Sequence, residues 1–437
     1  MRLYNYGNLL YVIMLVGVGA TAADVEPGAP VGPSKYNGPG SCSSTSCHGG
    51  VQPRSETTVL QNEYSTWAVE DKYHPHAFLN LSNPVAKRMG RILNIEPEKN
   101  KKCLDCHALN VADDQKARTF DANDGVSCES CHGPASNWLG EHTRKDWKYE
   151  KSIPLGMYDT RNLISRSERC VSCHVGTAEK YVDHEMIAAG HPDLYFEQAS
   201  FEAVMPRHWK MPVDKDPWIE ARTLAVGQAI QLRENLHRVA RSANRFWPEY
   251  AELDCFSCHH SLTAAKDSWR QERGYPGRRA GNPPFNPSRY VVFREVANDL
   301  GGTGDLDDRV KKVYALVSDI TAKPADIAAA ANSAADATNG LAHRMESAQF
   351  DPALVMRMMK TIAATSDQTA SQGVRAAEQA AMAFDSLFVA YNRNAKPGNE
   401  PQMRAAMNAV FQTLENPSSF SPESFSKAMR NAGSVLR

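Results

Sequence analysis

Five times before residue 260 a cysteine is followed at once by a histidine, and each pair has a second cysteine a few residues upstream. The segments are Cys42-x4-Cys47-His48, Cys103-x2-Cys106-His107, Cys128-x2-Cys131-His132, Cys170-x2-Cys173-His174 and Cys255-x2-Cys258-His259, and they use all ten cysteines of the chain. Two thiols so spaced can add across the vinyl groups of a porphyrin, and the adjoining histidine then stands beneath the iron as its proximal ligand. Zinc also takes paired cysteines, but it does not need a histidine directly after the second one. Disulfides in an exported protein would use the thiols and leave five histidines unexplained. The pattern implies a multihaem c-type cytochrome with five covalently bound haem c groups and proximal ligands His48, His107, His132, His174 and His259. The first motif is a longer variant, with a wider loop between its thioethers.

What fills the sixth position of each iron separates an electron carrier from a catalyst. A second histidine closes the site, whereas an empty or water-filled position admits a substrate. Nine histidines lie outside the motifs, namely His74, His76, His142, His184, His191, His208, His237, His260 and His343. They suffice to close all five irons, so counting alone reveals no open one. His184 and His191 are seven apart, two turns along one face if that stretch is helical, with the haem on His174 as the neighbour. His260 cannot reach the iron of His259 but can point to an adjacent haem. His208, in Pro206-Arg-His-Trp209, and His237, beside an apolar stripe, are weaker candidates, each as easily a half-buried structural residue. His343 reads as a surface residue of a bundle. Met186 and Met205 could be axial thioethers but read more simply as packing.

The elements that must position these groups are helical. The fold class expected is mainly α, a loop-rich multihaem cytochrome c domain followed by a helical bundle. All seven tryptophans and thirteen of fourteen histidines precede residue 270. The remainder is rich in Ala, Met and Ser. Residues 1–22 read as a signal peptide, with Arg2, the apolar run Leu9 to Ala20 and the small-residue site Ala20-Thr21-Ala22, so the chain is expected to be periplasmic or otherwise exported. Residues 23–290 form the expected pentahaem domain and 291–437 the bundle, joined through the Pro/Gly/Arg-rich stretch Gly274 to Pro287. The clearest helix of the first part runs from Trp218 to about Asn244, with Leu232, Leu236, Val239 and Ala243 on one stripe. In the second part Val374, Ala377, Ala381, Phe384, Phe388 and Tyr391 follow another, and Pro324, Pro352 and Pro397 mark helix boundaries. Apolar burial looks thin for the first part, so porphyrins are expected to form most of its core. A formal charge of −1 does not suggest nucleic acid as a partner.

Three pieces resemble a known family in order. Gly125-Val-Ser-Cys-Glu-Ser-Cys-His132-Gly-Pro followed by Gly140-Glu-His142 is similar to the third haem region of the cytochrome c-554 family, tetrahaem electron carriers that take electrons from hydroxylamine oxidoreductase. Trp67 followed by His74-x2-Ala77-Phe78-x2-Leu81 resembles its early helix with a distal ligand, and Glu168-Arg169-Cys170 resembles the opening of its next motif. The likeness covers about residues 40–175. It implies His142 as distal ligand to the haem on His48 and His74 as distal ligand to the haem on His132, with His76 the losing competitor. It also implies a five-coordinate haem on His107, the candidate for an open site. The x4 motif, the fifth haem and the C-terminal bundle depart from the family pattern.

Two functions fit. The first is electron transfer between redox partner proteins, or with a quinone-linked respiratory complex and a membrane-associated partner, through closely packed, mostly bis-histidine haems. The second is an oxidoreductase acting on a small nitrogen or sulfur compound at an open haem on His107. The first is favoured, because no Cys-x2-Cys-Lys motif and no substrate signature is present. The bundle is expected to serve docking or packing.

Overall fold

The computed structural model describes residues 32–57, 59–255, 258–259 and 285–436. The expected signal peptide, His260 and most of the 274–287 stretch lie outside them. Among the described residues the chain is mainly helical and loop-rich, with two isolated β-bridges and no strand. No helix among them is long and apolar enough to cross a membrane.

The helices of the first part are short, and their starts are written in the sequence. In α1 (Pro84–Leu93), Asn83 accepts from the Ala86 amide at 2.8 Å and proline takes the first turn. Asn100 opens α2 (Lys101–His107). After α3 (Cys128–His132), Asn162 caps α4 (Leu163–His174) through the Ser165 amide at 2.9 Å. Each of α2, α3 and α4 ends on its motif histidine, so the Cys-x2-Cys spacing sets both thiols of a pair on one helical face. Asp183 caps α5 (His184–Ala189), which stops at Gly190 with φ +119°. Glu197 caps α6 (Gln198–Val204).

The long α7 (Ile219–Arg245) follows, with the expected stripe Leu232, Leu236, Val239 and Ala243 buried. The C-terminal helices are α8 (Val291–Asp299), α9 (Leu306–Val317), α10 (Pro324–Ser347), α11 (Pro352–Ala364), α12 (Ser366–Ser371), α13 (Val374–Ala395), α14 (Glu400–Gln412) and α15 (Pro422–Val435). Pro324 and Pro352 occupy first turns as expected, and Pro397 falls just beyond the end of α13.

Packing joins the two parts. Helix α7 lies along α10, and one apolar cluster runs from Leu163 through α7 to Leu436. Polar ties reinforce it: Arg222 of α7 donates to the Glu346 carbonyl at 2.8 Å, and Ser386 of α13 donates to Glu197 at 2.8 Å. Among the described residues before Leu163, the separate buried cluster is only Ala135, Trp138 and Met157 with a few half-buried neighbours. A stretch of this length cannot be held by so small a core alone.

Candidate haem-binding sites

Histidine rings meet in pairs. His48 faces His142 with centroids 6.1 Å apart and planes at 8°. His174 faces His74 at 6.2 Å and 83°, and His107 faces His191 at 6.4 Å and 87°. His259 faces His184 at 6.3 Å and 33°. A metal-to-imidazole bond of about 2.0 Å, plus about 1.1 Å from nitrogen to ring centroid, puts two rings on opposite sides of one metal about 6.2 Å apart. All four separations fit that value. His208 lies in the electrostatic neighbourhood of His132, the histidine of the third motif and the one left over from these pairs.

Hydrogen bonds orient the rings. Nδ1 of His107 meets the Ala77 carbonyl at 3.0 Å, that of His142 meets Leu139 at 2.6 Å, and that of His191 meets Pro192 at 2.8 Å. The Nδ1 of His208 meets the Pro206 carbonyl at 3.3 Å. His48 instead meets Glu63 Oε2 at 2.9 Å, and His74 meets Asp71 Oδ2 at 2.7 Å. With Nδ1 engaged, Nε2 is the nitrogen left for a metal, the arrangement typical of ligating histidine. Burial acts in the same direction. It pushes His132 and His174 down to about 4 and lowers His142, His191 and His208, so these rings stay neutral, the form that binds metal. His48 moves up because Glu63 accepts its proton.

The ten cysteines are free thiols, including Cys255 and Cys258. Cys42 and Cys128 are close neighbours, as are Cys106 and Cys173. Cys131 lies near Cys173 and Cys170. In space the motifs therefore run first, third, fourth, second. The fifth joins the second through one segment, since His184 faces His259 and His191 faces His107. Thiols beside paired, neutral imidazoles suit covalent haem c.

Several expectations meet a different geometry. His184 and His191 do not share a face, because Gly190 ends α5 and turns His191 away. The ring facing His74 is that of His174, not His132. His107, the candidate for an open site, has His191 opposite. His237 lies on α7 near Glu234, at 3.7 Å. His76 and His343 are exposed. Met186 is buried as packing, 3 % exposed, and Met205 is half-buried.

Sequence reasoning missed Asp71, Glu63 and Glu129. Asp71 lies three residues before His74, across a bend whose Tyr73 and His74 amides it accepts, and that Asp-x2-His spacing was its signal. Glu129, inside the third motif and 1 % exposed, accepts from the amides of Asn37, Gly38 and Ala135 at 2.9, 2.6 and 2.8 Å. It fastens the chain before the first motif to the third. Gly125 is required at φ +66°, where a Cβ would stand 2.7 Å from the carbonyl oxygens of both His74 and Pro75.

Residues 42–133 match the family described as cytochrome c554 and c-prime. Cytochrome c-554 of Nitrosomonas europaea is 29 % identical over 121 residues, which are 24 % of this chain and 50 % of that protein. The chain thus spans about half the length of this curated relative. No solved structure matches it. The match supports a cytochrome c-554-like multihaem cytochrome with covalent haem c.

Proposed function

We propose that this chain is an exported pentahaem c-type cytochrome that carries electrons between redox partners, every haem being held by two histidines. The pairs are His48–His142, His107–His191, His132–His208, His174–His74 and His259–His184, with the ten motif cysteines as thioether donors. One observation carries the reading: the ring of His191 lies 6.4 Å from that of His107, where it would hold the sixth position that an open catalytic site needs. When bound, haem supplies one-electron chemistry.

The chain's own residues do the rest. In the six rings whose Nδ1 is engaged, that bond fixes the tautomer and leaves Nε2 as the metal-binding nitrogen. Desolvation keeps the half-buried rings of His132 and His174 neutral. The cysteine neighbours support a relay in the order first, third, fourth, second, fifth motif. The small core before Leu163 supports a domain whose folding is coupled to cofactor attachment. Residues 23–290 form the haem domain in this reading. Residues 291–437 form a bundle that steadies α7 and offers a docking face. Residues 1–22 direct export, since haem c is attached outside the cytoplasm. The donor and acceptor are redox proteins or a quinone-linked complex at the membrane.

Intact mass and EPR of the oxidised protein test this. Five haems per chain, all low-spin and silent to cyanide and nitric oxide, are expected. A high-spin signal from one haem in five would return the reading to an enzyme.

A further inference from the structure

Six histidine rings in the candidate pairs have Nδ1 held by an acceptor, and the acceptors are of two kinds. Four rings, His107, His142, His191 and His208, meet backbone carbonyls. Two meet carboxylates: His48 meets Glu63 at 2.9 Å and His74 meets Asp71 at 2.7 Å. Both carboxylates are shielded, their side chains 17 % and 6 % exposed.

Backbone contacts aim them. The second oxygen of Glu63 accepts from the Leu60 amide at 2.7 Å. The second oxygen of Asp71 accepts from the amides of Tyr73 and His74, at 2.9 and 3.1 Å. Orientation alone does not require a carboxylate, since four rings are oriented by carbonyls. What a carboxylate adds is charge. It draws the Nδ1 proton and makes Nε2 a stronger donor, which favours the more oxidised state of a bound metal.

We propose that Glu63 and Asp71 are positioning residues that give the sites of Cys42–Cys47 and Cys170–Cys173 the lowest reduction potentials in the chain. This rests on the pentahaem reading. In the spatial order of the motifs these two sites flank the third. The first electrons entering the oxidised protein therefore settle on the sites of the second, third and fifth motifs.

The test is a redox titration of the full-length holoprotein, followed by EPR and visible spectra, for wild type, Glu63→Gln and Asp71→Asn. Each substitution should move one of five one-electron steps upward, with five haems retained by intact mass. Asp71→Glu should restore most of the shift. Unmoved potentials with full haem content would overturn the proposal, and so would all five steps drifting together. A haem count below five in the wild type would overturn the pentahaem reading instead. The wild type offers a variant-free check if a substitution prevents assembly. The parallel pair, His48 and His142 at 8°, should give a ferric signal distinct from the perpendicular pairs. That signal must titrate among the two lowest steps, and finding it among the highest would also overturn the proposal.

Discussion

Replacing His191 by alanine probes the pairing that decides between carrier and catalyst. His191 leaves α5 at Gly190, holds Pro192 through Nδ1 at 2.8 Å and faces His107 at 6.4 Å. Its loss removes one hydrogen bond, worth about 1 kcal/mol, so the fold should persist. The effect on ligation should be whole rather than partial, because among the described residues no other imidazole ring faces His107. One haem in five should become high-spin and bind cyanide, with the other four unchanged. The ring planes make the result assignable. Imidazole planes close to perpendicular give ferric low-spin signals at larger g than parallel planes do. The pairs at 87° and 83° should give two such signals, the pair at 8° a rhombic one, and the pair at 33° an intermediate one. His191→Ala should remove one large-g signal. His74→Ala should remove another, and His184→Ala should touch neither. The reasoning fails if His191→Ala leaves five low-spin haems, or if His184→Ala abolishes a large-g signal.

Three further outcomes test what holds the sites in place. Arg238 pairs with Glu252, a 1 % exposed carboxyl that burial raises above its ordinary range, at 2.9 Å. Arg238→Met should cost about 3–5 kcal/mol near pH 7 by leaving that charge unpaired. A raised carboxyl favours the fold below its unfolded pKa, and that contribution is lost as pH rises through the folded value, so the cost should shrink toward pH 5. Urea midpoints at both pH values check this, and an equal loss at each would contradict it. Glu129→Ala strands three amides and should destabilise by about 2–4 kcal/mol, whereas Glu129→Gln keeps the Oε1 bonds and should cost about half as much. Thermal unfolding of the holoprotein distinguishes the two. Phe384→Ala, at a fully buried position in α13, should cost about 3–5 kcal/mol while leaving five haems attached, read by denaturation alongside intact mass.

What the sequence made legible followed the range of the interaction concerned. The stripe on α7 and the proline boundaries at 324 and 352 were readable because periodicity and first-turn chemistry are local. The motif cysteines and histidines share that property, since each motif lies within five to seven consecutive residues. A distal ligand has no such constraint. His191 stands eighty-four residues from His107, and His74 stands one hundred from His174. Only tertiary packing brings either pair together. Spacing misled at 182–192 because a seven-residue interval means one face only while the helix continues, and Gly190 at φ +119° ends it. Resemblance implied His74 against His132, yet Asp71 holds the His74 ring and α4 brings His174 to it. The carboxylates escaped notice for a related reason. An acidic residue near a histidine is ordinary in any soluble chain, and it gains meaning only when its second oxygen is anchored and its first meets Nδ1. Asp71 meets both conditions through Tyr73, His74 and a 2.7 Å contact. The Cys-His motifs were thus readable one at a time, while the rings they face and the carboxylates that hold those rings belong to the folded chain.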